Sequence, residues 1–68
     1  MKYLYLNGIK KSLDQEIDLS TFLENEEMLN KKIAVAINGL VIQKYEYEKI
    51  ILHDGDKIEI VHAVGGGR

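Results

Sequence analysis

The chain has 68 residues, with 9 basic and 11 acidic side chains and neither cysteine nor proline. Disulfides, cysteine zinc sites and thiol catalysis are therefore excluded, and a net charge of −2 argues against nucleic-acid binding. With 46% hydrophobic residues the chain is too apolar to be disordered, and no apolar run approaches the roughly 20 residues of a membrane span. We expect one small cytoplasmic carrier or binding domain, because so short a chain has little material for a deep catalytic pocket.

The chain is predicted to open with a β-hairpin. Side chains alternate between the two faces from Lys2 to Leu6, which indicates a strand. The dipeptide Asn7-Gly8 is typical of a tight turn between antiparallel strands, and a second strand is expected from Ile9 to Ile17.

A helix is predicted next. Leu19, Phe22 and Leu23 are spaced i, i+3 and i+4, so they form one apolar stripe on a helix. Asp18 or Ser20 can cap the first turn by accepting backbone N–H bonds.

A second hairpin is predicted after the helix. Ile33 to Ile37 is rich in Ile, Val and Ala, and Asn38-Gly39 repeats the turn signal before a short returning strand at Leu40 to Ile42. The segment from Tyr45 to Leu52 mixes polar and apolar residues and is expected to contain one short helical turn.

The last strand decides the predicted topology. It runs from Lys57 to Val64, after a turn at Asp54-Gly55-Asp56, and its alternation suits a central position beside the first strand. The chain between the first and last strands is long enough for the crossover that parallel pairing needs. These elements predict an α+β fold of the β-grasp, ubiquitin-like type, with a mixed four- to five-stranded sheet, one main helix on one face, a domain over residues 1–64 and a flexible tail over residues 65–68.

The two faces of the predicted sheet carry different side chains. The alternation places one set against the helix, namely Leu4, Leu6, Val35, Ile37, Ile58 and Ile60. The opposite set, expected to lie side by side on the open face, is Tyr3, Tyr5, Ala34, Ala36, Val61 and Ala63. An open sheet face is usually polar, so an apolar one predicts a docking site for partners. The alternative is a modestly apolar face that the protein simply tolerates.

Three consecutive glycines, Gly65, Gly66 and Gly67, follow the last predicted strand. Glycine lacks a Cβ atom and adopts almost any backbone angle, so such a tail can enter a narrow channel in another protein. A carboxylate at its end becomes reactive once it is activated as an acyl-adenylate. A frayed terminus or a linker added by cloning is the alternative for a glycine run alone, but the position directly after the last strand of a β-grasp domain favours a functional tail.

The chain resembles the ThiS-type sulfur carriers of thiamine biosynthesis over essentially its whole length. The matching segments are Val35-Ala36-Ile37-Asn38-Gly39, Asp54-Gly55-Asp56 and the stretch from Ile58 to Gly67. Carriers of molybdopterin synthesis (MoaD) usually have prolines before their final glycines, and this chain has none. ThiS-type chains often carry Pro-Arg and Trp after the third strand, where this chain has Gln43, Lys44 and Tyr47 and so keeps a cation and an aromatic ring.

The resemblance implies a protein co-substrate rather than an enzyme. A ThiF-like enzyme would use ATP to adenylate the carboxyl group of Gly67, and a cysteine desulfurase or a related persulfide donor would supply sulfur. The resulting thiocarboxylate on Gly67 would give its sulfur to a ThiG-like thiazole synthase. The chain itself would bind no cofactor, no nucleic acid and no membrane.

Arg68 departs from this pattern, because related carriers end at the last glycine. While Arg68 is attached, the carboxyl group of Gly67 is an amide and cannot be adenylated. Three explanations are possible, and we rank them in this order. A protease trims Arg68, Arg68 is a cloning remnant, or this form of the protein is not a carrier.

Other functions stay open at this point. They are sulfur transfer to molybdopterin synthesis or tRNA thiolation, a ubiquitin-like modifier joined through Gly67 to a lysine, and a plain interaction domain with an incidental tail. The histidines, His53 and His62, are too few and too far apart for a metal site, so none is expected.

Overall fold

The computed structural model describes residues 2–62. The strands are β1 (Lys2–Leu6), β2 (Ile9–Leu13), β3 (Ile33–Ile37), β4 (Leu40–Ile42) and β5 (Lys57–His62). One helix, α1, spans Leu19–Asn25, and a 3₁₀ turn spans Lys44–Glu46. Within the described part of the chain, none of the helices combines the length and apolar character needed to cross a membrane.

The strands form one five-stranded sheet in the order β2-β1-β5-β3-β4. The pair β1–β5 is parallel, and the pairs β1–β2, β3–β4 and β3–β5 are antiparallel. The last strand therefore lies beside the first, as predicted, and the chain between them carries α1 across one face. This arrangement confirms the β-grasp prediction.

Both predicted hairpin turns are present. The central residues have positive φ angles, 50° at Asn7 and 85° at Gly8, and 51° at Asn38 and 85° at Gly39. Two-residue turns of this kind match the twist of the strands that they join. They pair Leu6 with Ile9 and Ile37 with Leu40, so each turn fixes the register of its hairpin.

The core lies between α1 and one face of the sheet. All six side chains predicted to face the helix are buried, together with residues of the helix and of the connecting segments; the whole set is Leu4, Leu6, Leu13, Leu19, Phe22, Leu23, Val35, Ile37, Ile42, Tyr47, Leu52, Ile58 and Ile60. Burying a leucine or isoleucine fully stabilises a fold by about 1.5–3 kcal/mol. Burial also raises the pKa of the Tyr47 hydroxyl.

The start of α1 is capped by Asp18. Its carboxylate accepts hydrogen bonds from the backbone N–H of Thr21 at 2.9 Å and from the Thr21 hydroxyl at 2.6 Å. The hydrogen bond from the Thr21 hydroxyl, followed by the one from its backbone, holds the pKa of Asp18 below its ordinary value. Of the two residues that the sequence allowed as caps, Asp18 rather than Ser20 therefore caps the helix.

Two predicted boundaries differ from the structure. The second strand ends at Leu13 rather than Ile17, because Leu13 pairs with Lys2 at the start of β1. The next residues instead approach the chain before β5, where Ile17 O accepts a hydrogen bond from Leu52 N at 2.9 Å. The predicted helical turn is the 3₁₀ turn at Lys44–Glu46, one residue earlier than expected. The last two residues of the predicted final strand lie outside the described residues.

Candidate docking face and tail attachment

The central strand β5 connects the core to the glycine tail. Ile58 and Ile60 anchor it in the core, and on the other side the strand carries Lys57, Glu59 and Val61. The predicted site residues Ala63, Gly65, Gly66 and Gly67, and with them the whole predicted tail segment 65–68, lie outside the described residues. The structure therefore defines two parts of the site: the open sheet face and the end of β5.

One half of the open face is apolar apart from Asn7 and Glu59. On β3, Ala34 lies opposite Val61 of β5, and Ala36 lies opposite Val41 of β4. Val61 and Val41 are 62% and 64% exposed. They border a shallow depression of about 500 Å³, whose lining residues are Asn7, Ala34, Val35, Ala36, Val41, Glu59 and Val61. Exposed aliphatic side chains around a depression make this half the stronger docking candidate.

The other half of the face is more polar than predicted. Tyr3 and Tyr5 lie on it, but their partners on β2 are Ser12 and Lys10, and Lys10 Nζ lies 4.2 Å from the centre of the Tyr3 ring. On the β5 side, Tyr5 pairs with Lys57.

Five of the six residues expected to lie side by side are described, and these five do not all lie together. The parallel register places Tyr5 beside Lys57 at the start of β5, whereas Val61 and Ala34 meet near its end. Glu59 lies between these regions, opposite Ala36. A role of Tyr3, Tyr5, Ala34, Ala36 and Val61 in partner binding stays a prediction, now weighted toward the alanine and valine half.

Val41 and Asn7 also belong to this face, although neither was predicted there. Val41 could have been found, because a two-residue turn at Asn38-Gly39 places it opposite Ala36. From the sequence alone, Asn7 is recognisable only as a turn residue. Its side chain also binds β5: Oδ1 accepts from Ile60 N at 2.8 Å, and Nδ2 donates to Ile60 O at 3.2 Å.

The two histidines lie apart from this face and from each other. His53 Nε2 is 4.0 Å from Glu16 Oε2, and both side chains are largely exposed. His62 ends β5 opposite Ile33. Between residues 2 and 62, no group of three or more His, Cys, Asp or Glu side chains is arranged to hold a metal ion.

The fold and the site together define a small β-grasp protein with an open sheet face and a central strand that leads into glycines. The ThiS family model matches residues 4–67 of the chain. The chain belongs to the ThiS family, as the resemblance of its motifs predicted.

Individual relatives agree with this assignment. The chain is 40% identical over 67 residues to the sulfur carrier protein ThiS of Bacillus subtilis, covering 94% of this chain and 98% of that protein. It is 31% identical over 64 residues to a thiazole synthase of Paramagnetospirillum magneticum; the match covers 94% of this chain but only 20% of that protein. It also matches a thiazole synthase of Magnetococcus marinus, at 31% identity over 96% of this chain and again over 20% of that protein.

A solved structure shows the same fold. The crystal structure of the thiamine biosynthesis protein ThiS from Geobacter metallireducens superposes with a TM-score of 0.84, at 24% identity, and covers 96% of this chain and 99% of that chain. At this identity the match supports the β-grasp fold alone.

Proposed function

We propose that this chain is a sulfur carrier protein for thiazole formation in thiamine biosynthesis. The observation that supports this proposal most strongly is the 40% identity to the Bacillus subtilis sulfur carrier protein ThiS across nearly the full length of both chains. The family match also reaches residue 67 and so includes all three glycines. In this role the chain is a co-substrate, and its partners perform the catalysis.

The proposed chemistry takes place at the carboxyl group of Gly67. A carboxylate oxygen attacks the α-phosphorus of ATP in an adenylating partner, and pyrophosphate leaves. The terminal sulfur of a persulfide donor, such as a cysteine desulfurase, then attacks the carbonyl carbon and displaces AMP. The resulting acyl disulfide is cleaved by a thiol, which forms a disulfide with the donor sulfur and releases the thiocarboxylate. We place these steps in the cytoplasm, which supplies the ATP.

A thiazole synthase is the proposed acceptor of the sulfur. Two proteins with that name contain a region similar to this chain that makes up 20% of their length. When a carrier-like region is part of the same polypeptide as a thiazole synthase, its effective concentration at the active site of the synthase is high. This continuity supports the same pairing between this chain and a separate thiazole synthase.

Docking of these partners is proposed to use the apolar half of the open face. Val61 lies on β5, the strand that leads into the tail, Ala34 lies beside it on β3, and Val41 lies on the next strand, β4. The two valines are 62% and 64% exposed. One tail must visit two active sites in turn, so we propose that the adenylating enzyme and the thiazole synthase compete for this face. A ternary complex that contains both partners would contradict the competition.

The proposed function is tested with three versions of the chain. A chain ending at Gly67 is compared with the chain that retains Arg68 and with a chain from which Gly66 and Gly67 are deleted. Each is incubated with a ThiF-like enzyme and ATP, and pyrophosphate release is measured. We expect release only with the chain ending at Gly67. Equal release with all three versions, or none with the chain ending at Gly67, contradicts the proposal.

A further inference from the structure

The side chain of Asn7 replaces a peptide group in the parallel ladder between β1 and β5. The backbone part of this ladder contains Tyr5 N donating to Asp56 O and Asn7 N donating to Ile58 O, both at 2.9 Å. At Asn7 the chain takes a positive φ of 50° and leaves β5 for the hairpin turn. A straight continuation of β1 would offer Ile60 one carbonyl and one N–H group.

The carboxamide of Asn7 supplies both of these groups. Its Oδ1 accepts from Ile60 N at 2.8 Å, and its Nδ2 donates to Ile60 O at 3.2 Å. The pairing of β5 on this flank therefore extends two residues beyond Ile58, which is the last residue in register with β1. On the opposite flank, β3 pairs with β5 as far as His62.

This position matters because Ile60 is the last buried residue of β5. Val61 and His62 follow it, and the tail is covalently attached beyond them. With β3 alone, the end of β5 would be held on one side. The bond pair from Asn7 holds it on both sides at Ile60, two residues before the strand ends.

We propose that Asn7 is a positioning residue for the carrier tail, which fixes the end of β5 so that Gly67 reaches the active site of the adenylating partner. This inference rests on the proposed function. In this role Asn7 does not touch the reacting carboxyl group. It acts through the backbone of Ile60.

The sequence provides a matched control for this inference. Asn38 occupies the same place in the second Asn-Gly turn, with a φ of 51°. Its Oδ1 accepts from Lys57 N at 3.0 Å and its Nδ2 donates to Asp56 Oδ1 at 3.1 Å. Asn38 therefore holds the start of β5, whereas Asn7 holds the end.

The test compares Asn7→Gly with Asn38→Gly in the chain that ends at Gly67. Glycine accepts positive φ without steric cost, so both turns are preserved and each variant loses only its carboxamide. Adenylation by a ThiF-like enzyme is measured with the carrier as the varied substrate, below the melting temperatures of both variants. Backbone amide exchange at Ile60 is measured in parallel.

We expect Asn7→Gly to lower kcat by about tenfold with little change in KM, because a small misplacement of a reacting group slows the reaction without weakening docking. Amide exchange at Ile60 should accelerate in this variant, because Ile60 N loses its acceptor. Asn38→Gly should keep kcat within about twofold of the parent and leave exchange at Ile60 unchanged.

Two results overturn the inference in distinguishable ways. If the parent chain is adenylated and Asn7→Gly reacts as fast as Asn38→Gly, the positioning role is wrong and the proposed function stands. If the parent chain itself is not adenylated, the proposed function fails and the positioning role fails with it. A rise in KM with unchanged kcat would show instead that Asn7 contributes to docking, and would also overturn the inference.

Discussion

The two Asn-Gly hairpins have nearly identical turns but hold opposite ends of the same strand. The φ angles agree within 1° between Asn7 and Asn38 and are equal, 85°, at the following glycines. Asn38 binds the start of β5 at Lys57, and Asn7 binds it at Ile60, two residues before the strand ends. One local motif therefore serves two purposes, and its place in the sheet decides which.

The hairpins also differ in what they give to the open face. The β1–β2 hairpin contributes Tyr3 and Tyr5 with Lys10 beside them, whereas the β3–β4 hairpin contributes Ala36 and Val41. Lys10 Nζ lies 4.2 Å from the centre of the Tyr3 ring, where the positive charge is attracted to the face of the ring. We therefore expect partners to dock mainly on the β3–β4 half.

We expect the largest loss of stability from a substitution on the core side of β5, the strand that both hairpins hold. Ile58 is fully buried, so Ile58→Ala should reduce the free energy of unfolding by about 3 kcal/mol, measured by urea denaturation. Val61→Ala on the same strand is the control, because Val61 is 62% exposed, and it should cost under about 0.5 kcal/mol. Similar losses for the two variants would contradict the assignment of faces on β5.

A charge on the apolar half should weaken partner binding next most strongly. Val41→Lys is expected to raise the Kd for the adenylating enzyme or the thiazole synthase by about tenfold, because it places a charge in the contact. Ser12→Lys introduces the same charge on the β1–β2 half and should change Kd by less than about twofold. Titration calorimetry distinguishes them, and a larger effect of Ser12→Lys would move the docking site to the tyrosine half.

The two turns themselves should respond equally to substitution. Beyond the adjoining residues, no atom lies within 4 Å of the place that a Cβ would take on Gly8 or Gly39, so space does not limit a side chain there. Gly8→Ala and Gly39→Ala should each cost about 1 kcal/mol, since an alanine is strained at positive φ. Thermal denaturation measures both, and a difference greater than about 1 kcal/mol would show that the turns are not equivalent.

The smallest effect is expected for the lysine over Tyr3. Lys10→Gln removes the contact between Lys10 Nζ and the ring and should cost about 0.5 kcal/mol at low salt. The exposed Lys49 provides the control, because Lys49→Gln also removes one positive charge. Equal stability of the two variants would show that the contact contributes nothing measurable.

Local signals in the sequence predicted most of the fold. The Asn-Gly dipeptides determine two-residue turns, and the alternation around them determines which side chains reach the core. The central position of β5 followed from its apolar alternation. The end of β2 could not be predicted from such local signals. It depends on where β1 begins, because Leu13 pairs with Lys2.

The open face was harder to predict because it depends on register between distant strands. Tyr5 lies beside Lys57 only because a parallel crossover sets that register, and no local pattern encodes it. The bond between Asn7 and Ile60 joins residues 53 positions apart, and the turn signal alone fully explains an asparagine there. Its second role appears only when the sheet is assembled.

The most direct test of the central claim is the intact mass of this protein isolated from its own cells. We predict a species that ends at Gly67 with one carboxyl oxygen replaced by sulfur, and its disappearance after alkylation of the thiocarboxylate. A chain that retains Arg68 and carries no sulfur, in cells that are actively making thiamine, would contradict it.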